Sequence, residues 1–145
     1  GAALVQRVCN QKHSYTQFGG MRPFGVAFLF GGWDEFHGYQ LYMTDPSGNY
    51  SGWKAKCIGQ NNQSGTGILK TDYEETMDTK AAMKLAVKVL TKSMDATSDM
   101  SDKLEICIVS KSGDGGAVTQ TMLPEAELAA IVAEVQAEAA PEGDM

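Results

Sequence analysis

Cysteine, histidine and excess positive charge are all scarce in this chain of 145 residues, and each shortage excludes a class of function. Cys9, Cys57 and Cys107 are odd in number and widely spaced, with no CxxC and no cysteine–histidine pair at ligand spacing, which argues against a disulfide framework or a structural zinc site. They read as reduced, mostly buried thiols of a cytosolic or nuclear protein. Lysine and arginine number 12 against 18 acidic residues, a formal charge of −6, and no basic stripe interrupts the acidic balance. A nucleic-acid backbone therefore has nothing to attract it. No apolar run approaches the ~18 residues of a membrane span, and no signal peptide is read at the start. Gly1 stands where an initiator methionine would, so it reads as a cleavage scar and the chain as a piece of something longer.

What the sequence does hold is the composition of an ordinary globule, 43% hydrophobic and 21% charged. A domain of this length buries roughly 68–70% of the surface its unfolded chain exposes, enough for a real core. Leu4, Val8, Gln11 or Lys12, and Tyr15 recur at helical spacing, with Gly19 and Gly20 placed to stop the helix. From Arg22 to Trp33 apolar residues occupy both parities, predicting a strand covered on both faces. "YQLYMT" (39–44) and "GWKAKCIG" (52–59) follow as two further antiparallel strands, with Trp53 pointing inward.

Asn61 to Tyr73 predicts a helix weakened by Gly65 and Gly67. Thr79 can cap the next, whose stripe is Met83, Ala86, Val87, Leu90 and Met94, and "DATSDMSD" ends it. "KLEICIVS" and "AVTQTML" predict two strands about the turn "SGDGG". Pro124 then opens a last helix with Leu128, Ile131, Val132 and Val135 on one face. The order is helix, three strands, two helices, two strands, helix. Such an order predicts sheets with helices packed outside them, and the doubly apolar strand predicts a sheet-on-sheet centre. One domain is expected over 1–140, followed by a frayed acidic tail over 141–145.

In "MTDPSGNYSGWKA" (43–55), Asp45, Ser47 and Lys54 resemble an orienter, a nucleophile and a base. Asp-Pro-Ser-Gly is also what a type I turn prefers, with Pro46 fixing φ and Asp45 bonding the backbone beyond it. The turn uses every residue and the catalytic reading only three, so the turn is expected. His13 falls on a helix and His37 in a bend beside Asp34 and Glu35, too few groups for a metal site; both read as solvated. "GQNNQSGTG" is glycine-rich but lacks both the GxxxxGK[ST] lysine and the GxGxxG spacing of phosphate loops. The methionines and phenylalanines read as core. Glu125, Glu127, Glu134 and Glu138 read as a solvated helix face. No cofactor and no metal are expected.

"YTQFGGMRPFGVAFLFGGWD", "YQLYMTDPSGNYSGWKAKCIG" and "DTKAAMKLAVKVL" closely resemble the alpha subunits of the 20S proteasome across almost the whole chain. The residues that carry the motif are Arg22, Pro23, Phe24, Gly25, Asp45, Pro46, Gly48, Trp53, Lys54, Ala55 and Gly59. The resemblance implies an α+β fold, the four-layer α/ββ/α sandwich of the N-terminal-nucleophile hydrolases, here incomplete because the first strands and helix are absent. It implies no catalytic residue. The beta subunits of that family use an N-terminal threonine, whereas this chain begins with Gly1, and the Gln63–Gly67 stretch has no such nucleophile to support.

The function so implied is a non-catalytic alpha-ring subunit, contributing to ring assembly, the antechamber and gated substrate admission in ubiquitin-dependent degradation, in cytoplasm and nucleus. Its partners would be neighbouring alpha and beta-ring subunits, and regulatory particles through the full ring. A chain missing part of its sandwich would also self-associate. Two rivals stand beside it: an active N-terminal-nucleophile amidohydrolase, and a small-ligand module using Asn61–Gly67.

Overall fold

The computed structural model describes residues 1–17, 22, 25–94 and 101–140. Within it the chain falls into two compact units, one of Gly1–Ile58 with Val109–Val118, the other of Gly59–Ile108 with the chain from Thr119 onward.

The first unit begins with α1, Ala2–Gln17. Its buried row is Val5, Cys9 and Lys12, while Leu4 is 56% exposed, so the apolar row expected from Leu4 and Val8 is corrected by one position. Both rows satisfy the helical period; the sheet and the turn beside it select the one that ends in Lys12. Gly19 and Gly20 lie outside the described residues. Strands β1 (Phe28–Asp34), β2 (Gly38–Thr44) and β3 (Tyr50–Trp53) form an antiparallel sheet in that order, as the sequence predicts.

The strand limits differ from the expected ones. Thr44 is the last residue of β2 and pairs with both Phe28 and Tyr50, and Pro46, which has no N–H, follows at once. With no partner beyond Thr44, β1 starts at Phe28 rather than Arg22, and β3 starts at Tyr50 and ends before Lys54. Alternation puts Phe28, Phe30, Tyr42, Thr44 and Tyr50 on the face toward α1, and Leu29, Trp33, Leu41, Met43 and Trp53 on the other. β1 is half-exposed along its length rather than covered on both faces, and Trp53 is 43% exposed rather than inward. The Lys56 ammonium lies 3.9 Å from the Trp53 ring centroid, and the indole N–H donates to Ser51 Oγ at 2.7 Å.

The second unit is helical. α2 (Asn62–Asp72) forms despite its glycines, with Gly65 buried. α3 (Thr79–Ser93) is capped by Asp78, not Thr79: the Asp78 carboxylate accepts from the Ala81 N–H at 2.8 Å. Its buried residues are Leu85, Val87 and Val89, so the expected stripe is corrected: Ala86 is exposed, Met94 is 43% exposed, and Leu85 and Val89 are added. α4 (Glu125–Ala139) follows Pro124 and buries Leu128, Ile131, Val132 and Val135, the face expected. These join Val87 and Leu104 in one core cluster, each such side chain worth about 1.5–3 kcal/mol on burial.

Ser101–Lys103 is a single 3-10 turn; the stretch 95–100 before it and the tail 141–145 lie outside the described residues. Strands β4 (Cys107–Lys111) and β5 (Val118–Met122) pair with each other, and the short link 112–117 permits only the antiparallel sense. All three thiols are free, but only Cys9 is buried; Cys57 is half-buried and Cys107 exposed, against the expectation for them. Cys107 opens β4 on an unburied position, which the apolar letters around it do not reveal.

Candidate functional site

The Asp45–Asn49 turn joins β2 to β3 and is built around one carboxylate. Gly48 N–H donates to the Asp45 carbonyl at 3.2 Å, closing the turn, and Asp45 N–H donates to the Asn49 carbonyl at 3.0 Å. The Asp45 Oδ1 accepts from the Ser47 hydroxyl at 2.6 Å and from the Asn49 N–H at 3.0 Å. Asn49 Nδ2 in turn donates to Ser47 Oγ at 3.3 Å. Gly48 completes the bend at φ +100°.

These bonds decide between reaction centre and turn. The structure brings Asp45 and Ser47 together, but Ser47 donates its O–H to a carboxylate already committed to the Asn49 backbone N–H, a local bond that closes the bend. Lys54 lies past the end of β3, outside the turn that holds Asp45 and Ser47. His13, exposed on α1 as the sequence predicts, lies against Gly48. No serine–histidine hydrogen bond forms among the described residues, so the group does not assemble an activated nucleophile.

The hydrogen bond from Ser47, with those from the Asn49 and Ser47 backbone, holds the Asp45 carboxyl below its ordinary range. A folded pKa lower than the unfolded one contributes stability above the unfolded value, lost as pH falls through the folded one. Melting of the first unit should therefore become easier below about pH 4, and Asp45→Asn should flatten that dependence in thermal scans across pH 2–6.

Under this turn lies Lys12, 1% exposed. Its Nζ donates to the Val26 carbonyl, the Thr44 Oγ1 and the Asp45 carbonyl, each at 3.0 Å, and sits 4.7 Å from the Phe28 ring centroid. Burial pulls the Lys12 ammonium down from its usual range and pushes the Cys9 thiol up. Thr44 Oγ1 also accepts from Phe28 N–H at 3.2 Å. The helical period offers Gln11 or Lys12 for this row but gives the lysine no partners, because they are remote in the chain.

The other motif residues scatter. Arg22 and Gly25 are exposed, Ala55 is half-buried, Gly59 is exposed at φ +101°, and Pro23 and Phe24 lie outside the described residues. At the start of α2, Asn61 Nδ2 donates to the Ser93 carbonyl and Asn62 Nδ2 to the Gly59 carbonyl, both at 2.7 Å, so the glycine-rich stretch spends its amides internally. His37 is exposed beside Asp34, whose carboxylate accepts from the Phe36 and His37 N–H groups. Among the described residues no cluster of three or more histidine, cysteine, aspartate or glutamate side chains could hold a metal, and no helix is long and apolar enough to cross a membrane.

A groove of about 380 Å³ in the second unit is lined by Asp72, Lys84, Lys88, Lys92 and Glu138 among others. Lys88 pairs with Asp72, and Lys84 reaches Glu134 and Glu138 at 2.9 Å each. Glu134 and Glu138 thus partner α3 rather than only facing solvent. The Lys84 bond holds the Glu134 carboxyl below its usual range. The groove is an ion-pair seam between helices, not a cluster of groups aimed at a substrate.

Comparison with known proteins is more specific. Residues 1–109 match the family model described as proteasome subunit. The chain is 60% identical over 106 residues to proteasome subunit alpha type-4-A of Arabidopsis thaliana, covering 73% of this chain and 42% of that protein. It is 54% identical over 124 residues to alpha type-4-1 of Oryza sativa subsp. indica, covering 85% and 50%, and 54% identical over 122 residues to alpha type-4 of Spinacia oleracea, covering 84% and 49%. All three of these relatives are alpha type-4 subunits. The chain spans about half the length of the curated relatives it matches.

Proposed function

Because the chain belongs to the proteasome subunit family, with an α+β N-terminal-nucleophile-type fold present in part, we propose that it serves as a non-catalytic alpha-type subunit of the 20S core. Its chemistry is contact. It contributes to the alpha ring, meets neighbouring alpha and beta-ring subunits, and helps shape the antechamber and the gated path for proteins condemned by ubiquitin tagging, in cytoplasm and nucleus. Regulatory particles reach it only through the complete ring. Residues 1–140 act as one subunit domain.

The observation that carries this reading is the match to alpha type-4 subunits across most of the chain. The turn geometry supports the non-catalytic half of it, since the one hydroxyl–carboxylate pair that resembles a catalytic group is engaged in closing a bend. A covalent threonine-directed proteasome probe should leave this chain unlabelled; labelling would favour the amidohydrolase reading.

The sheet face of Leu29, Trp33, Leu41, Met43 and Trp53 supports a contact role as well, with Leu29 and Trp53 at 40% and 43% exposure. Lys111 lies over Trp33 at 4.1 Å and Lys56 over Trp53, so the face is covered in part; the apolar surface it still exposes favours association. By itself the chain should self-associate in light scattering and bind a hydrophobic dye; a compact, dye-silent monomer would count against this use of the face.

A further inference from the structure

An ammonium group has three N–H donors, and Lys12 places all three on neutral oxygens at the same 3.0 Å: two carbonyls and one hydroxyl. The oxygens come from three places, Val26 before β1, Thr44 at the end of β2, and Asp45 in the turn. The Phe28 ring adds a fourth side at 4.7 Å. Both Lys12 and Thr44 are sealed from solvent, at 1% and 0% exposure. A charge so buried is retained only where its donors are satisfied.

Nearby carboxylates do not perform that task. The one on Asp45 is turned to Ser47 and the Asn49 N–H. The arrangement is therefore the coordination shell of a small cation, with the cation supplied from α1 on a four-carbon tether. We propose that the Val26 carbonyl, Thr44 hydroxyl and Asp45 carbonyl form a binding site for a primary ammonium ion, filled in the native chain by Lys12, and that this tethered ion fixes where β1 begins and seats the turn on α1.

The same geometry explains the late start of β1. The Val26 carbonyl is drawn to Lys12 and is withheld from any ladder, while the Phe28 N–H is captured by Thr44 Oγ1, which Lys12 also holds. One ammonium thus connects the segment before β1, the end of β2 and the turn.

The test is chemical rescue in the full chain. Lys12→Ala removes the tether and leaves room for n-propylammonium, which has the missing three carbons and nitrogen. Melting should drop by roughly 5–10 °C, and hydrogen exchange should quicken at the Phe28 and Gly48 amides. Propylammonium chloride should restore part of both losses, tetramethylammonium chloride at equal ionic strength should restore neither, and the native chain should respond to neither. Equal effects of the two salts on Lys12→Ala, or a native-like melt in salt-free buffer, would overturn the proposal.

Where Lys12→Ala does not fold, Lys12→Met and Thr44→Val decide. Lys12→Met keeps the apolar tether without the donors, and Thr44→Val keeps the shape without the shared acceptor. Both should lose protection at Phe28; native-like protection in both would contradict the assignment.

Discussion

Replacing Gly48 with alanine should destabilise the first unit by about 2–5 kcal/mol, the sum of a left-handed backbone penalty and overpacking. Gly48 sits at φ +100°, and a Cβ built on it would lie 2.7 Å from the Cys9 carbonyl oxygen and 2.9 Å from His13 Cδ2. The imidazole can rotate away. The carbonyl cannot, because it belongs to the α1 backbone on the buried row that also holds Val5 and Lys12. Relief would lift the turn from the helix and with it the Asp45 carbonyl bonded to Lys12.

Gly67→Ala provides the opposite sign from the same chemical change. Gly67 is in the middle of α2, with nothing within 4 Å of an added Cβ. Alanine there should stabilise by about 0.5–1 kcal/mol through helix propensity. Urea denaturation of the two variants should move the midpoint in opposite directions; equal shifts would refute the packing assigned to the turn.

Val132→Asp should cost about 4 kcal/mol or more, enough to leave the second unit largely unfolded at ambient temperature. Val132 is 1% exposed and packs among Val87, Leu128, Ile131 and Val135. None of these side chains offers a hydrogen bond, so the carboxylate would be buried charged or would take up a proton to escape. Ala133→Asp, one residue along and exposed, should change stability by no more than about 0.5 kcal/mol. Circular dichroism at 222 nm with a thermal melt separates them.

The contrast between those two substitutions shows what was legible beforehand. Leu128, Ile131, Val132 and Val135 repeat at helical spacing with no competing row, and the structure buries all four. The Asp45–Asn49 turn was legible because proline, aspartate and glycine each act on the backbone locally. α1 was less so: Leu4 and Val8 compete with Val5 and Cys9, and the choice depends on what packs across from them. Strand ends were obscured for the same reason, since β1 begins only where β2 offers partners, and that limit is set at Thr44.

Lys12 was the least legible of all. Its acceptors are 14, 32 and 33 residues away, so the helical period admits Gln11 or Lys12 on the inner row and only the placement of those oxygens selects the lysine. Family resemblance was legible for a different reason: blocks such as "DPSGNYSGWKA" combine local turn grammar with side chains that the turn does not require. The part of that block with catalytic appearance is the part the turn explains most fully.

The most direct measurement is to express the chain with an affinity tag in cells that assemble 20S particles, isolate it under native conditions, and identify what comes with it by mass spectrometry. The expected result is co-purification of alpha-type and beta-type proteasome subunits in a particle larger than the chain's own oligomers. Recovery of the chain alone, or only with copies of itself, would contradict a role in the ring.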